Sequence, residues 1–464
     1  MGAVVGWRFW AVGALGVLQS AALVWGSGAS IANQLVAVLA AAALGSLALA
    51  WIALDRRFAR APLAWVFGLA LLLRLIAVQA EPLLEDDHYR YLWDGMRTAL
   101  HLDPYRLAPS AFFADQSLLP AWQDTLSGIN NPDVPSIYGP VLQALFALGH
   151  LVAPGRIGAI QALLLAVDLG CMALLIRHGV GARWLLAYAL HPLILKEAMA
   201  SVHPDGLVAL WLLFALLSWQ RGRMFCTGAL LGLAVATKVA ALVALPLFLW
   251  GPQRTAAFAQ TAGAMALGFV AVLVLAYLPF LIAGGSDAAG LSAFATQWRF
   301  NPLWFRFVEA AAPGAAARPV AAVLIAGGVA ALMWRWRMAV NAGMASRHMA
   351  LPPIGSVMLV LILLSPVVNP WYALWALGPA LCARKPAAAV VAALGCVGVL
   401  AYLNGSVLQQ AGWLGHHAPS ASFAVGWPVA LIQMAVVVVA ALWVWRSGSG
   451  SGSGSAKTSA ADRD

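Results

Sequence analysis

From Phe9 almost to the C-terminal end, apolar runs of transmembrane length alternate with short polar breaks. About 20 mostly apolar residues cross a bilayer as a helix, because a helix satisfies its own backbone hydrogen bonds in lipid. The runs predict helices near 9–26, 33–54, 62–80, 157–177, 183–201, 205–220, 258–282, 318–335, 352–367, 370–383, 387–404 and 425–445. A 27-residue apolar stretch from Met224 to Trp250 is interrupted by Lys238. Because a lysine at mid-membrane is costly, it reads as two short helices meeting at an outward-facing Lys238. The run 138–153 is short, and whether it spans decides the side of everything after it.

Arg and Lys positions orient this pattern. The cluster Arg56, Arg57 and Arg60 between the second and third helices belongs in the cytoplasm by the positive-inside rule. The third helix then delivers a polar loop, 81–137, to the outer side. If 138–153 lies along the interface or re-enters, Arg177, Arg183, Arg221 and Arg223 fall inside, and charge favours that choice. Arg254, the group Arg335, Arg337 and Arg347, and the pair Arg384 and Lys385 then also lie inside. The expectation is an all-α, polytopic membrane bundle of about 14 spans with both termini inside. Its parts are an N-terminal helix hairpin (1–61), a transmembrane catalytic module (62–445) and a Gly/Ser-rich tail (446–464) excluded from the fold.

Composition agrees with this class. Of the 464 residues, 62% are hydrophobic and 9% charged, against roughly 25% charged in a soluble domain. The net charge of +10 sits in short clusters between apolar runs, a topology signal that gives no reason to expect a nucleic-acid partner. Arg8 before the first apolar run resembles a signal peptide, but a second run follows almost at once, so an uncleaved helix is expected. Cys171, Cys226, Cys382 and Cys396 lie in apolar runs at no metal-like spacing and read as packing residues.

On this topology the outer side gathers Glu85-Asp86-Asp87, His203-Pro204-Asp205, Lys238, the loop Trp298-Arg299-Phe300-Asn301, and Asn369-Pro370-Trp371-Tyr372. Carboxylates beside His, Lys and Arg suit a reaction in which a hydroxyl loses a proton while a phosphate is held. Bland readings stand beside this one. The acids are a solvated helix end, His203-Pro204-Asp205 a helix-starting turn, Lys238 a snorkelling side chain, and Trp298, Trp371 and Tyr372 interfacial belt aromatics. Arg74 and Asp168, inside predicted helices, read as a structural polar pair or a link to the first loop and not as catalytic groups. His416 and His417 read as solvent-exposed.

The run Glu85-Asp86-Asp87-His88-Tyr89-Arg90-Tyr91-Leu92-Trp93-Asp94-Gly95, followed by Asp103-Pro104-Tyr105, resembles the first outer loop of GT-C superfamily glycosyltransferases. The likeness is nearest to the family-87, polyprenyl-phosphomannose-dependent mannosyltransferases. Tyr138-Gly139-Pro140, His191-Pro192-Leu193, Ser201 to Asp205, Thr237-Lys238, Trp298 to Asn301 and Asn369 to Tyr372 follow in that family's order. The likeness extends over roughly Arg74 to Trp375. Where the family has Tyr-Pro-Pro, this chain has Tyr138-Gly139-Pro140.

The resemblance implies a transferase that moves a sugar, mannose or another hexose, from a polyprenyl-phosphate donor to a lipid- or glycan-linked hydroxyl on the non-cytoplasmic face of the inner (plasma) membrane. It gives the general base to Asp86 or Asp87. Donor-site candidates are Tyr89, Arg90, His203, Asp205, Lys238, Trp298, Arg299, Asn301, Trp371 and Tyr372, the cations among them offsetting charge on the departing phosphate. Some members use a divalent metal and others none; Asp86, Asp87 and Asp205 are the residues to hold Mg²⁺ or Mn²⁺. The rival class is a transporter or lipid flippase, which would show paired halves and charges along a mid-membrane path. Neither pattern is evident here, and a non-catalytic scaffold leaves the acidic loop without a role.

Overall fold

A computed structural model describes residues 6–249, 258–342, 351–383, 386–414 and 424–449. The positions Arg254, Arg347, Arg384, Lys385, His416 and His417, and the tail from 450 onward, lie outside the described residues. Among the described residues the chain is helical without a strand. Its twenty α-helices are, in order, α1 (Trp7–Gly26), α2 (Ile31–Leu54), α3 (Leu63–Ala77), α4 (Asp87–His101), α5 (Pro120–Ser127), α6 (Pro140–Val152), α7 (Ile157–Arg177), α8 (Ala182–Ala189), α9 (Gly206–Gln220), α10 (Met224–Thr237), α11 (Leu245–Leu249), α12 (Phe258–Ile282), α13 (Ala288–Gln297), α14 (Phe305–Ala311), α15 (Ala317–Asn341), α16 (Ile354–Leu364), α17 (Ala373–Cys382), α18 (Pro386–Gly398), α19 (Gly405–Gln410) and α20 (Trp427–Ser449).

Six of them, α1, α2, α7, α12, α15 and α20, are long and apolar enough to cross a membrane. The protein is therefore a helical membrane protein. Several other predicted spans are shorter or broken. Residues 183–201 do not form one helix. The run ends as α8 at Ala189, passes through His191-Pro192, and resumes as a π-helix over Ile194–Ala200. Proline lacks the N–H that would continue the ladder, which is why the element divides there. α6 has 13 residues, about 20 Å of helix, against a hydrocarbon core of about 30 Å. Helix α10 stops at Lys238, and a 3₁₀ turn, Val239–Ala244, leads into α11. The break expected at this lysine is present.

The packing explains how distant segments meet. Helices α1 and α2 pack on each other, α1 also on α3 and α2 on α18, while α10 lies between α9 and α12. The polar loop 81–137 carries α4 and α5, and α4 lies along α6. Gly95 permits this contact, because a Cβ there would strike the Phe146 carbonyl of α6. Arg74 of α3 and Asp168 of α7 form the expected polar pair: Arg74 Nε lies 2.7 Å from Asp168 Oδ2, both buried. Tyr188 of α8 donates to the same carboxylate at 2.8 Å, and Arg74 donates to the Ala189 carbonyl at 2.6 Å. Two charges buried among apolar helices persist only when paired in this way. The pair locks three helices together just below the loop that carries the acids.

Candidate active site

Helix α4 starts on the acidic run, with Asp86 as its N-cap residue and Asp87 its first residue. Its far side is anchored from within. Buried Asp94 accepts from Arg90 Nε at 3.0 Å, from Ser136 Oγ at 2.5 Å and from Gln143 Nε2 at 3.1 Å. Arg90 also donates to the Val134 carbonyl at 2.9 Å, and Tyr105 Oη donates to the Tyr138 carbonyl at 2.7 Å. These bonds draw the segment 134–138 back over the start of α4.

The result is an open cleft lined by Asp87, Asn130, Tyr138, Lys238, Trp298 and Trp371, with Arg90, Asn369 and Tyr372. One acid, one partly exposed ammonium, amides and aromatic faces are the groups that hold a sugar and a phosphate. Gly139 lets this wall close. A Cβ there would run into the Ala236 carbonyl at the end of α10, so Gly139→Ala should move Tyr138 away from Lys238. We expect it to lower the melting temperature, at a cost of about 1–3 kcal/mol, and to weaken donor use; thermal unfolding and transfer kinetics check both.

Asp87 is the most heavily engaged carboxylate. Its Oδ1 accepts from Asn130 Nδ2 at 3.0 Å, and its Oδ2 from the Tyr138 and Tyr91 hydroxyls at 3.4 and 3.5 Å. His203 Nε2 lies 3.7 Å from Oδ2. Burial works against the charge, but the facing His203, with Asn130 and Lys238, overrides it and holds the carboxyl at about 2. Asp86 behaves differently although it is adjacent. Its side chain reaches the surface and accepts from the same Asn130 amide, while partial desolvation by the surrounding loop, together with the neighbouring Asp87 charge, raises its carboxyl.

His203 sits where two distant segments bring carboxylates to both edges of its ring. Nδ1 is 3.3 Å from Glu197 Oε2, and the ring stacks on Trp371 at 3.6 Å between centroids. Its backbone N–H donates to the Glu197 carbonyl at 2.9 Å, following Val202 in the left-handed region at φ +64°. A β-branched residue there is strained; the turn that aims His203 is held against that cost. Burial opposes a charged ring, but Asp87 and Glu197 outweigh it and raise His203 to about 9, so it is an imidazolium at neutral pH.

Asp205, fully buried, faces Lys238 at 3.1 Å and accepts from Trp375 Nε1 at 2.6 Å. The Lys238 ammonium also lies near the faces of Tyr372, Tyr138 and Trp375. The expected metal set of Asp86, Asp87 and Asp205 is thus not gathered, because Asp205 is committed to Lys238. The ligand atoms that do come together belong to Glu85, Asp87 and His203, within 4.8 Å. This donor set does not fit Mg²⁺ or Mn²⁺. One of the three ligand atoms is an imidazole nitrogen of a ring set between Glu197 and Asp87, whereas these hard cations prefer oxygen ligands. Burial, outweighing the pull of Lys196 and His203, lifts Glu85 to about 8.

Three expected donor residues are placed elsewhere. Arg299 forms a two-pronged pair with Glu309 at the surface, its Nη2 2.7 Å from Oε2. Tyr89 packs with Trp93, Trp122 and Leu126 in a small cluster on the outer loop. Asn301 is buried and donates to the Val368 carbonyl at 3.3 Å, clamping the loop of Trp298 to the segment that leads into Trp371. Four contributors went unread in the sequence: Asn130, Lys196, Glu197 and Tyr402. The adjacent charges Lys196-Glu197 inside an apolar run were the available signal, since such residues are rare there and usually functional.

A many-helix membrane protein with an acid, an ammonium and aromatic walls in one cleft has the groups that a membrane glycosyltransferase needs, the class that the GT-C motifs resembled. Residues 3–254, more than half of the chain, match the family described as alpha-(1->6)-mannopyranosyltransferase, N-terminal domain, and the chain belongs to that family. It is also similar to Alpha-(1->6)-mannopyranosyltransferase A of Mycobacterium tuberculosis, with 27% identity over 394 residues, 75% of this chain and 72% of that protein.

Proposed function

We propose that this enzyme transfers mannose from a polyprenyl-phosphate donor to a hydroxyl of a lipid- or glycan-linked acceptor, with Asp87 as general base, on the non-cytoplasmic face of the inner membrane. The observation that carries the proposal is Asp87 itself, which opens into the cleft while Lys238 stands in the same wall. The relative's name supports an α-(1→6) mannosyl product. In this reading the donor's lipid tail lies among the helices, its phosphate meets Lys238, and its sugar rests against Trp298, Trp371 and Tyr138. The Asp87 carboxylate takes the acceptor's proton as the acceptor oxygen bonds to the sugar's anomeric carbon. The bond from that carbon to the phosphate breaks, and polyprenyl phosphate leaves with the electron pair. Bound phosphate offsets the Lys238 charge and water is excluded, both of which raise Asp87 from its low resting value toward the working range of a base.

The test is transfer by purified protein offered radiolabelled polyprenyl-phosphomannose, polyprenyl-phosphoglucose and GDP-mannose, with and without EDTA. We expect a mannosylated product and released polyprenyl phosphate from the first donor only, unchanged by the chelator. Transfer from GDP-mannose alone would replace the lipid donor, and loss with EDTA would return a metal to the site. Orientation is checked separately. Cysteines introduced at Ser110 and Ser286 should react with an impermeant thiol reagent outside intact cells; protection of both would place the cleft on the cytoplasmic side.

A further inference from the structure

Beside the cleft, one arginine is bound to backbone carbonyls and not to an acid. Arg318 is the second residue of α15, a helix long enough to cross the membrane. Its Nη1 donates to the Ala295 carbonyl at 2.6 Å and its Nη2 to the Trp298 carbonyl at 2.8 Å, and among the described residues no carboxylate pairs with it. A cation in the first turn of a helix opposes that helix's dipole, so Arg318 gains nothing from α15. The favourable place for its charge is the C-terminal end of α13, which it reaches. That end has no capping glycine: Trp298 is the C-cap residue and is extended, at φ −81° and ψ 140°. The last carbonyls of a helix lack partners within it, and a forked guanidinium supplies two donors at once.

The helix end that Arg318 caps is also a wall of the cleft. Phe294 and Trp298 both line it, their rings edge to face at 4.9 Å between centroids. Beyond Trp298 the chain is fixed from the other side. Phe300 N–H donates to the Pro366 carbonyl at 3.1 Å and Val368 N–H to the Phe300 carbonyl at 2.8 Å, which ties the loop to the segment leading into Trp371. Before Trp298, α13 is a helix of 10 residues. It rests on the segment 134–138 at Gly290, where a Cβ would strike the Pro135 and Ser136 carbonyls. Arg318 joins the far end of this short helix to a membrane-crossing one, and one of its two bonds is to Trp298 itself. We infer that Arg318 is a positioning residue: by holding the Ala295 and Trp298 carbonyls, it keeps the Trp298 indole in the cleft wall where the donor's sugar rests against it. The inference rests on the proposed contact between Trp298 and that sugar.

The test is a double-mutant cycle on the purified protein, read on donor KM and on kcat with polyprenyl-phosphomannose as the varied donor. Trp298→Ala should raise donor KM on the order of 10-fold, the loss of an aromatic face from the sugar site. Arg318→Ala should raise donor KM roughly 5-fold, with kcat and acceptor KM within about 2-fold of wild type. The double variant should match Trp298→Ala, because without the indole nothing remains for Arg318 to place. Arg318→Lys, which keeps the charge and loses the fork, should fall between Arg318→Ala and wild type. An arginine that only stabilised the fold would, on removal, lower the melting temperature and leave donor KM unchanged, and that result overturns the inference. So does a double variant whose KM rises by the product of the two single effects. A wild-type donor KM in Trp298→Ala overturns the sugar contact, and the inference with it; a raised KM there beside an unmoved KM in Arg318→Ala removes the positioning role alone. If Arg318→Ala does not fold, Arg318→Gln, which keeps the stem and loses the fork, enters the same cycle and is judged by the same outcomes.

Discussion

Asp87→Asn should lower single-turnover transfer by about 10²- to 10⁴-fold with donor and acceptor saturating, the scale of a lost general base. Asparagine keeps the shape of the side chain and still accepts from Asn130 and Tyr138, so the cleft should keep its form and donor affinity should hold. What it lacks is a group able to take the acceptor's proton. The contrast with Asp86 makes the result specific. Asp86 is exposed and shares only the Asn130 amide with its neighbour, so Asp86→Asn should stay within a few-fold of wild type. Equal losses in both variants would shift the explanation to the amide that bridges them. A wild-type rate in Asp87→Asn would remove the assignment and leave Glu85 as the next acid to test.

Lys238→Ala should raise donor KM and lower kcat/KM by roughly 10- to 100-fold, the worth of a hydrogen bond from a charged group. It should also destabilise the fold, because Asp205 would keep only the Trp375 indole as partner at 1% exposure. Stranding a buried charge costs about 3–5 kcal/mol. The double variant Lys238→Ala, Asp205→Asn separates the two effects: thermal stability should return toward wild type while donor use stays impaired. Full recovery of kcat/KM in the double variant would show that Lys238 serves Asp205 and not the donor. Arg299→Ala is the control. Its guanidinium is spent on Glu309 at an exposed pair, so its kinetics should match wild type.

The motifs that resembled a family loop turned out to share a wall because each lies at a helix end. Asp87 opens α4, Asp205 precedes α9, Lys238 follows α10, and Trp371 leads into α17. Such ends are readable in a sequence, as charges, prolines and glycines that interrupt apolar runs. The Arg74–Asp168 pair was readable for the same reason, two charges inside helices that need one another. Arg299 and Tyr89 looked equivalent to their neighbours in the same motifs, yet one residue of helix or loop rotation turned them toward Glu309 and toward the cluster around Trp93.

The sequence by itself therefore determined the membrane class, the helical architecture and the places where polar groups leave the apolar runs, because transfer into lipid is decided locally, residue by residue along a span. It did not determine which of those groups touch. That Asp87 and not Asp86 opens into the cleft, that His203 lies between Asp87 and Glu197, and that Asp205 faces Lys238 are visible only in the tertiary structure. Contacts such as Tyr402 to Glu197, 205 positions apart, depend on how a broken helix and a π-turn bring side chains together. An apolar pattern fixes which face of a helix is buried, whereas charge pairing over a few ångströms depends on the packing of every helix between.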